Sequence, residues 1–245
     1  MQPKAVMPGL AERKSLLPAL VAMLASLHAA LASFPGPFFR SWMFLILPLE
    51  GIILGPGAGA LSAMIGGSIG CVVRGEAIIL PIVAFSEPLG VACSGLAFKG
   101  RWRELLAIYG IMLAAYFAHP LGRALPAWCL WDIYLGALMV MPTCHITKRL
   151  ARREDLKGPD LPLALALSAF VGLEADVMAR IFMLIPTFFY LVLVPENTLE
   201  VLSAWWVMGA FATPIEALIC MAVVVWVGPP ILIALDSKGV RCPIT

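Results

Sequence analysis

Charge is what this chain has least of. Only 13% of its 245 residues are Asp, Glu, Lys or Arg and 61% are hydrophobic, whereas a soluble domain carries about 25% charged residues. A net charge of +2 is too small to suggest nucleic acid as a partner. The six cysteines (Cys71, Cys93, Cys129, Cys144, Cys220 and Cys242) show no CxxC spacing, which excludes a zinc or clustered disulfide framework and leaves them as small packing residues. HExxH is absent, and His28, His119 and His145 have no carboxylate or second histidine at that spacing. They therefore read as interfacial or buried hydrogen-bonding groups rather than metal ligands. The glycine-rich stretch 57–70 has no Lys after its glycines and no strand before it, so it is not a phosphate loop. Gly67-Ser68 has no evident histidine partner, and Glu174-x-Asp176 followed by Ala179-Arg180 lacks the repeated Asp needed to hold a metal–diphosphate. The chain reads as a non-enzyme with no metal and no cofactor.

What it has is apolar length. The mean hydropathy is +0.94, and the 20 prolines and 21 glycines are tolerable in membrane helices, where neighbours re-satisfy the backbone. The expected fold is all-α, a polytopic helical membrane protein forming one integral membrane domain over 1–245, embedded in the bilayer of the cell membrane. Apolar runs fall at 16–33, 42–54, 58–73, 77–98, 105–118, 128–147, 161–194 and 201–234. The second is short against the roughly 20 residues needed to cross, unless it is tilted or extended by Phe38 and Phe39. Pro81 and Pro88 predict a kinked or broken fourth run. The last two runs are too long for one ordinary span, and each fits a long kinked helix, a broken helix or a tight hairpin.

Lys4, Arg13 and Lys14 precede the first run, and Ala30-Leu31-Ala32 resembles a signal-peptidase site. A retained first helix with its basic end inside is the expectation, because another membrane segment follows. Basic clusters at Lys99, Arg101 and Arg103 and at Lys148, Arg149, Arg152, Arg153 and Lys157, with Lys238 and Arg241 at the end, point to cytoplasmic termini. This gives about eight helices, six being the alternative, with 148–160 a cytoplasmic basic loop between two helical halves. Arg40, Arg74 and Arg123 fall outside. Ala60-Leu61-Ser62-Ala63 recurs as Ala166-Leu167-Ser168-Ala169, which suits either an internal repeat or chance in an Ala- and Leu-rich chain.

Seven ionisable residues interrupt the apolar runs: Glu50, Glu87, Asp132, Glu174, Asp176, Arg180 and Glu216. Charge at that depth costs roughly 2.5–3.5 kcal/mol per residue on insertion scales and faces a cavity or a partner. Asp176 and Arg180, at i and i+4, share a helix face and either neutralise one another or bond a polar ligand head. The acidic surplus around one Arg favours a heteroaromatic or cationic solute in an enclosed pocket lined by Glu174, Asp176 or Arg180 with help from Glu50 or Glu87. Trp128, Trp131, Tyr134, Trp205 and Trp206 supply flat surfaces for a ring or, for Trp128 and Trp131, an interfacial belt.

Several segments together resemble the substrate-binding S component of an energy-coupling factor (ECF) transporter. These are the basic start, the Ala-rich helix over 19–32 closed by Phe34-Pro35-Gly36-Pro37, the segment Leu47-Pro48-Leu49-Glu50-Gly51-Ile52-Ile53-Leu54-Gly55-Pro56, and the glycine-rich helix through Gly70. The resemblance implies a small helical protein that binds a vitamin-type micronutrient and docks through its first helix onto a transmembrane coupling subunit driven by ATPase subunits. The docking candidates are the Ala22-x-x-x-Ser26 and Ala25-x-x-x-Ala29 faces. The chain is longer than a six-helix member and lacks the Met-His start of the nickel and cobalt variety, so a metal ligand is not implied. The alternative is a structural or assembly subunit of a larger membrane complex, whose buried-run charges would sit on an outer face.

Overall fold

The computed structural model describes residues 16–37, 40–153 and 158–237. Among these the architecture is all helical, with one isolated bridge between Pro35 and Ser41. In chain order the helices are α1 (Leu16–Ala32), α2 (Leu47–Leu54), α3 (Pro56–Val73), α4 (Leu80–Phe98), α5 (Trp102–Ala118), α6 (Pro120–Ala124), α7 (Trp131–Arg153), α8 (Asp160–Leu184), α9 (Tyr190–Leu193) and α10 (Thr198–Ser237). Among the described residues five helices are long and apolar enough to cross a membrane: α3, α8 and α10 by themselves, and α4 and α7 together with the short turn that precedes each.

The helix ends follow from local chemistry. Gly55, at φ +84°, separates α2 from α3 and lets Pro56 begin the next helix, where a proline's missing N–H is harmless. Pro81 likewise sits in the first turn of α4, so only Pro88 lies inside it. The run at 161–194 is one helix, α8, followed by a turn in which Phe188 takes φ +62° and a short α9. Glu174, Asp176 and Arg180 do not break α8. The run at 201–234 is one continuous helix of 40 residues despite Pro214, Pro229 and Pro230. Helix α7 extends through Arg153, so the expected loop at 148–160 is corrected: its basic residues from Lys148 to Arg152 lie on the last turns of a helix. Lys4, Arg13, Lys14, Phe38, Phe39, Lys157, Lys238, Arg241 and Cys242 lie outside the described residues.

Helix α8 is the most enclosed of the five long apolar helices and α10 the least. Small residues allow the close approaches. A Cβ added at Gly172 would lie 2.8 Å from the Gly90 carbonyl oxygen of α4, and one at Gly90 would lie 2.6 Å from Asp176 Cβ. Gly66 of α3 meets α1 in the same way, 2.7 Å from the Ala25 carbonyl. Ala25 is therefore buried inside the protein and Ala29 half-buried, while Ala22 and Ser26 are exposed. This corrects the docking face: Ala25-x-x-x-Ala29 is taken by α3, and only Ala22-x-x-x-Ser26 remains free.

Contacts of Val21 with Ser62, Ala25 with Gly66 and Ala32 with Gly70 show that α1 and α3 run in the same direction. Segment 33–55, containing the wholly buried α2, must therefore carry the chain back along the bundle. One end of the bundle gathers Ala32, Arg74, Leu184 and the start of α10; the other gathers Pro56, Gly100, Lys148 and Asp160. Substituting Gly172→Ala drives a methyl against the α4 backbone and should lower stability by about 1–3 kcal/mol, as overpacking does. Gly57→Ala, which meets nothing within 4 Å, should leave the thermal transition in detergent unchanged.

Candidate functional site

Burying carboxylates in a helix bundle requires cations within reach, and the fold supplies them in a continuous line. His28 Nδ1 is 2.6 Å from Glu50 Oε1, and its Nε2 is 3.1 Å from Glu87 Oε2. The other Glu87 oxygen lies 3.1 Å from Arg180 Nη2. Arg180 Nε is 3.1 Å from Asp176 Oδ2, which is also 3.2 Å from Arg40 Nε. Arg40 Nε lies 3.5 Å from Glu216 Oε2. Seven side chains from α1, α2, α4, α8, α10 and segment 33–55 thus form one chain of ion pairs, and only Arg180 has appreciable exposure, 19% of its side chain.

Five of the residues singled out from sequence therefore meet: Glu50, Glu87, Asp176, Arg180 and Glu216. Asp132 stands apart on α7, accepting from the Thr213 hydroxyl of α10 and from the Ile133 N–H. Glu174 is fully buried against Gly136 of α7, beside Asp132, and neither of its oxygens makes a hydrogen bond of normal geometry among the described residues. His28 and Arg40 were missed as members of a site. Arg40 is 3% exposed and lies in the interior of the protein. The signal was the acidic surplus itself, because six acids cannot be buried around one Arg. His28 and Arg40 are the missing bases, although three bases to six acids still leaves carboxyl groups in excess.

Two cavities adjoin this chain. The larger, about 210 Å³, lies between α7, α8 and α10, with Ile79 and Leu193 on its wall at the end of the bundle away from the basic helix ends, and is half-open rather than sealed. Its wall is mostly apolar and carries Trp205 and Trp206, with Arg40, Asp132, Arg180 and Thr213 as its polar groups. The smaller, about 90 Å³, is lined by Arg40, Arg74, Glu76, Glu87 and Arg180 among others. Arg40 and Arg180 border both. Glu50, Glu174, Asp176 and Glu216 line neither; Asp176 and Glu216 meet the cavities through the two arginines with which they pair.

Trp206 Nε1 donates to the Tyr116 hydroxyl at 3.0 Å, with the two rings stacked 6.4 Å apart, which fixes its indole as a wall. Trp128 and Trp131 are about half exposed and line neither cavity, and Tyr134 lines neither as well. An apolar cavity of about 150 Å³ holds a benzene-sized ring, so the larger cavity suits one ring with small substituents. No family model, curated protein or solved structure matches the chain.

Replacing Asp176 with Asn removes the carboxylate that two guanidiniums share. Breaking a buried pair from one side costs about 3–5 kcal/mol. The unfolding midpoint of Asp176→Asn in detergent should fall accordingly, and a variant as stable as the parent would show that Asp176 does not hold Arg40 and Arg180.

Proposed function

We propose that this protein is the substrate-binding subunit of a multi-subunit micronutrient importer, capturing a small heteroaromatic solute in the cavity between α7, α8 and α10. The observation that carries this reading is a mostly apolar cavity of about 210 Å³, walled by Trp205 and Trp206 and bordered by buried charge at Arg40, Asp132 and Arg180. An assembly subunit would display its intramembrane charges on an outer face, where partner helices could reach them. Here the ion-pair chain is enclosed, which favours the solute-binding reading. The transmembrane coupling subunit and ATPase subunits of such an importer would meet the exposed Ala22 and Ser26 face of α1, where small residues allow close helix approach.

The proposed topology has eight crossings with both termini inside the cell membrane: α1, the segment 33–55, α3, α4, α5, α7, α8 and α10. The shared direction of α1 and α3 supports a crossing by 33–55, and the basic residues of 99–103 and 148–153 then share the cytoplasmic side. The larger cavity falls towards the outer side, where an importer meets its solute. A cysteine placed at Arg152 should resist an impermeant thiol reagent added to sealed cells; labelling from outside would overturn the orientation.

Solute capture is tested with purified protein and pyridoxine as a single-ring heteroaromatic probe. Binding should quench the fluorescence of Trp205 and Trp206, and Ala210→Leu, which fills the cavity from α10, should abolish the quench. A quench that survives Ala210→Leu would place the ring elsewhere.

A further inference from the structure

Resting on the reading of the larger cavity as a solute site, we infer that its solute is a zwitterion: one small ring with an anionic oxygen held by Arg40 and Arg180 and a cationic N–H group held by Asp132. The cavity wall carries side chains of both charge signs. Arg40, which borders it, is 3% exposed and its Nη1 has no hydrogen-bond partner among the described residues. Arg180 beside it uses Nε for Asp176 and Nη2 for Glu87, and among the described residues no bond engages its Nη1. A guanidinium presents donors in a fixed planar fork that matches a carboxylate, so two such donors at a cavity wall form a receptor for an anionic oxygen.

The same wall carries Asp132. Its Oδ1 accepts from the Ile133 N–H and its Oδ2 pairs with the Thr213 hydroxyl, which also contacts the Gly209 carbonyl; these bonds fix its orientation. A carboxylate has about four acceptor sites, so two bonds leave capacity for a donor arriving from the cavity. The rest of the wall is mostly apolar, with Leu130, Ile133, Val177, Ile181 and Trp206 among its residues. A purely cationic solute would place its charge beside two guanidiniums, and a purely anionic one would face Asp132. An unpaired charge held against such a wall is disfavoured. A ring carrying both charges satisfies both groups.

Three probes separate these cases by calorimetry on the full-length protein in detergent: 3-(aminomethyl)benzoate, which carries both charges, benzoate, and benzylamine. The zwitterion should bind at least tenfold more tightly than either singly charged ring. Arg40→Gln should reduce its affinity to that of benzylamine, and Asp132→Asn to that of benzoate. Asp132 lies outside the ion-pair chain, so Asp132→Asn decides the matter even if Arg40→Gln does not fold. Benzylamine binding as tightly as the zwitterion, or unchanged zwitterion affinity in Asp132→Asn, overturns the inference while leaving the cavity a solute site. If none of the three rings binds and pyridoxine fails to quench Trp205 and Trp206, the solute-site reading falls, and this inference with it.

Discussion

A single carboxylate oxygen, Asp176 Oδ2, stands 3.2 Å from Arg40 Nε and 3.1 Å from Arg180 Nε, and much of the interior is arranged to keep it there. Two buried guanidiniums can share one anion only if the backbones bearing them come close, and each approach has its own structural device. Gly90 removes the side chain that would collide with Asp176, so α4 and α8 can touch. Segment 33–55 folds back through the bundle instead of staying at its surface, which brings Arg40 inside. Helix α10 contributes Glu216 to the far side of Arg40. Isolated charges at such depth would each be costly, but linked in a line every ion has a counter-ion.

The second arm of the line works in the same way at the other side of the bundle. His28 bridges Glu50 of α2 and Glu87 of α4 from its place on α1, tying three elements together. The small residues of α3 make the bridge possible, since a Cβ at Gly66 would come within 2.6 Å of His28 Cβ. Packing and electrostatics are thus not separate layers here. The glycines set the distances over which the charges act.

Much of this was legible in the sequence, and the exceptions have physical causes. Apolar runs locate the long helices because a bilayer imposes length and composition together. Periodicity could not decide whether 161–194 and 201–234 were broken, because buried charges with partners do not interrupt a helix and prolines inside α10 are accommodated. The acidic residues declared themselves as improbable in apolar runs. Their bases did not: His28 hides in an Ala-rich helix, and Arg40 follows Phe38 and Phe39 in a stretch that reads as a loop. Local sequence states that a charge needs a partner but not which distant segment brings it. Ala25 failed as a docking residue for a related reason, because a small-residue stripe looks the same whether its partner is another protein or the next helix.

The cavity inherits its character from this arrangement. Of the seven linked residues, Arg40 and Arg180 reach its wall, while Glu50, Asp176 and Glu216 stay behind them. The carboxylates thereby set the position and much of the charge balance of the guanidiniums without lining the cavity themselves. Neutralising a rear carboxylate consequently disturbs stability and the cavity wall together, whereas altering Asp132, held by Thr213 and its own helix start, changes that wall without opening the ion-pair line. The guanidiniums and the carboxylate of the cavity wall are therefore separable by mutation even though the guanidiniums are part of the structural framework. That asymmetry follows from how charge is buried here: the framework supplies the donors, and a side chain outside it supplies the acceptor.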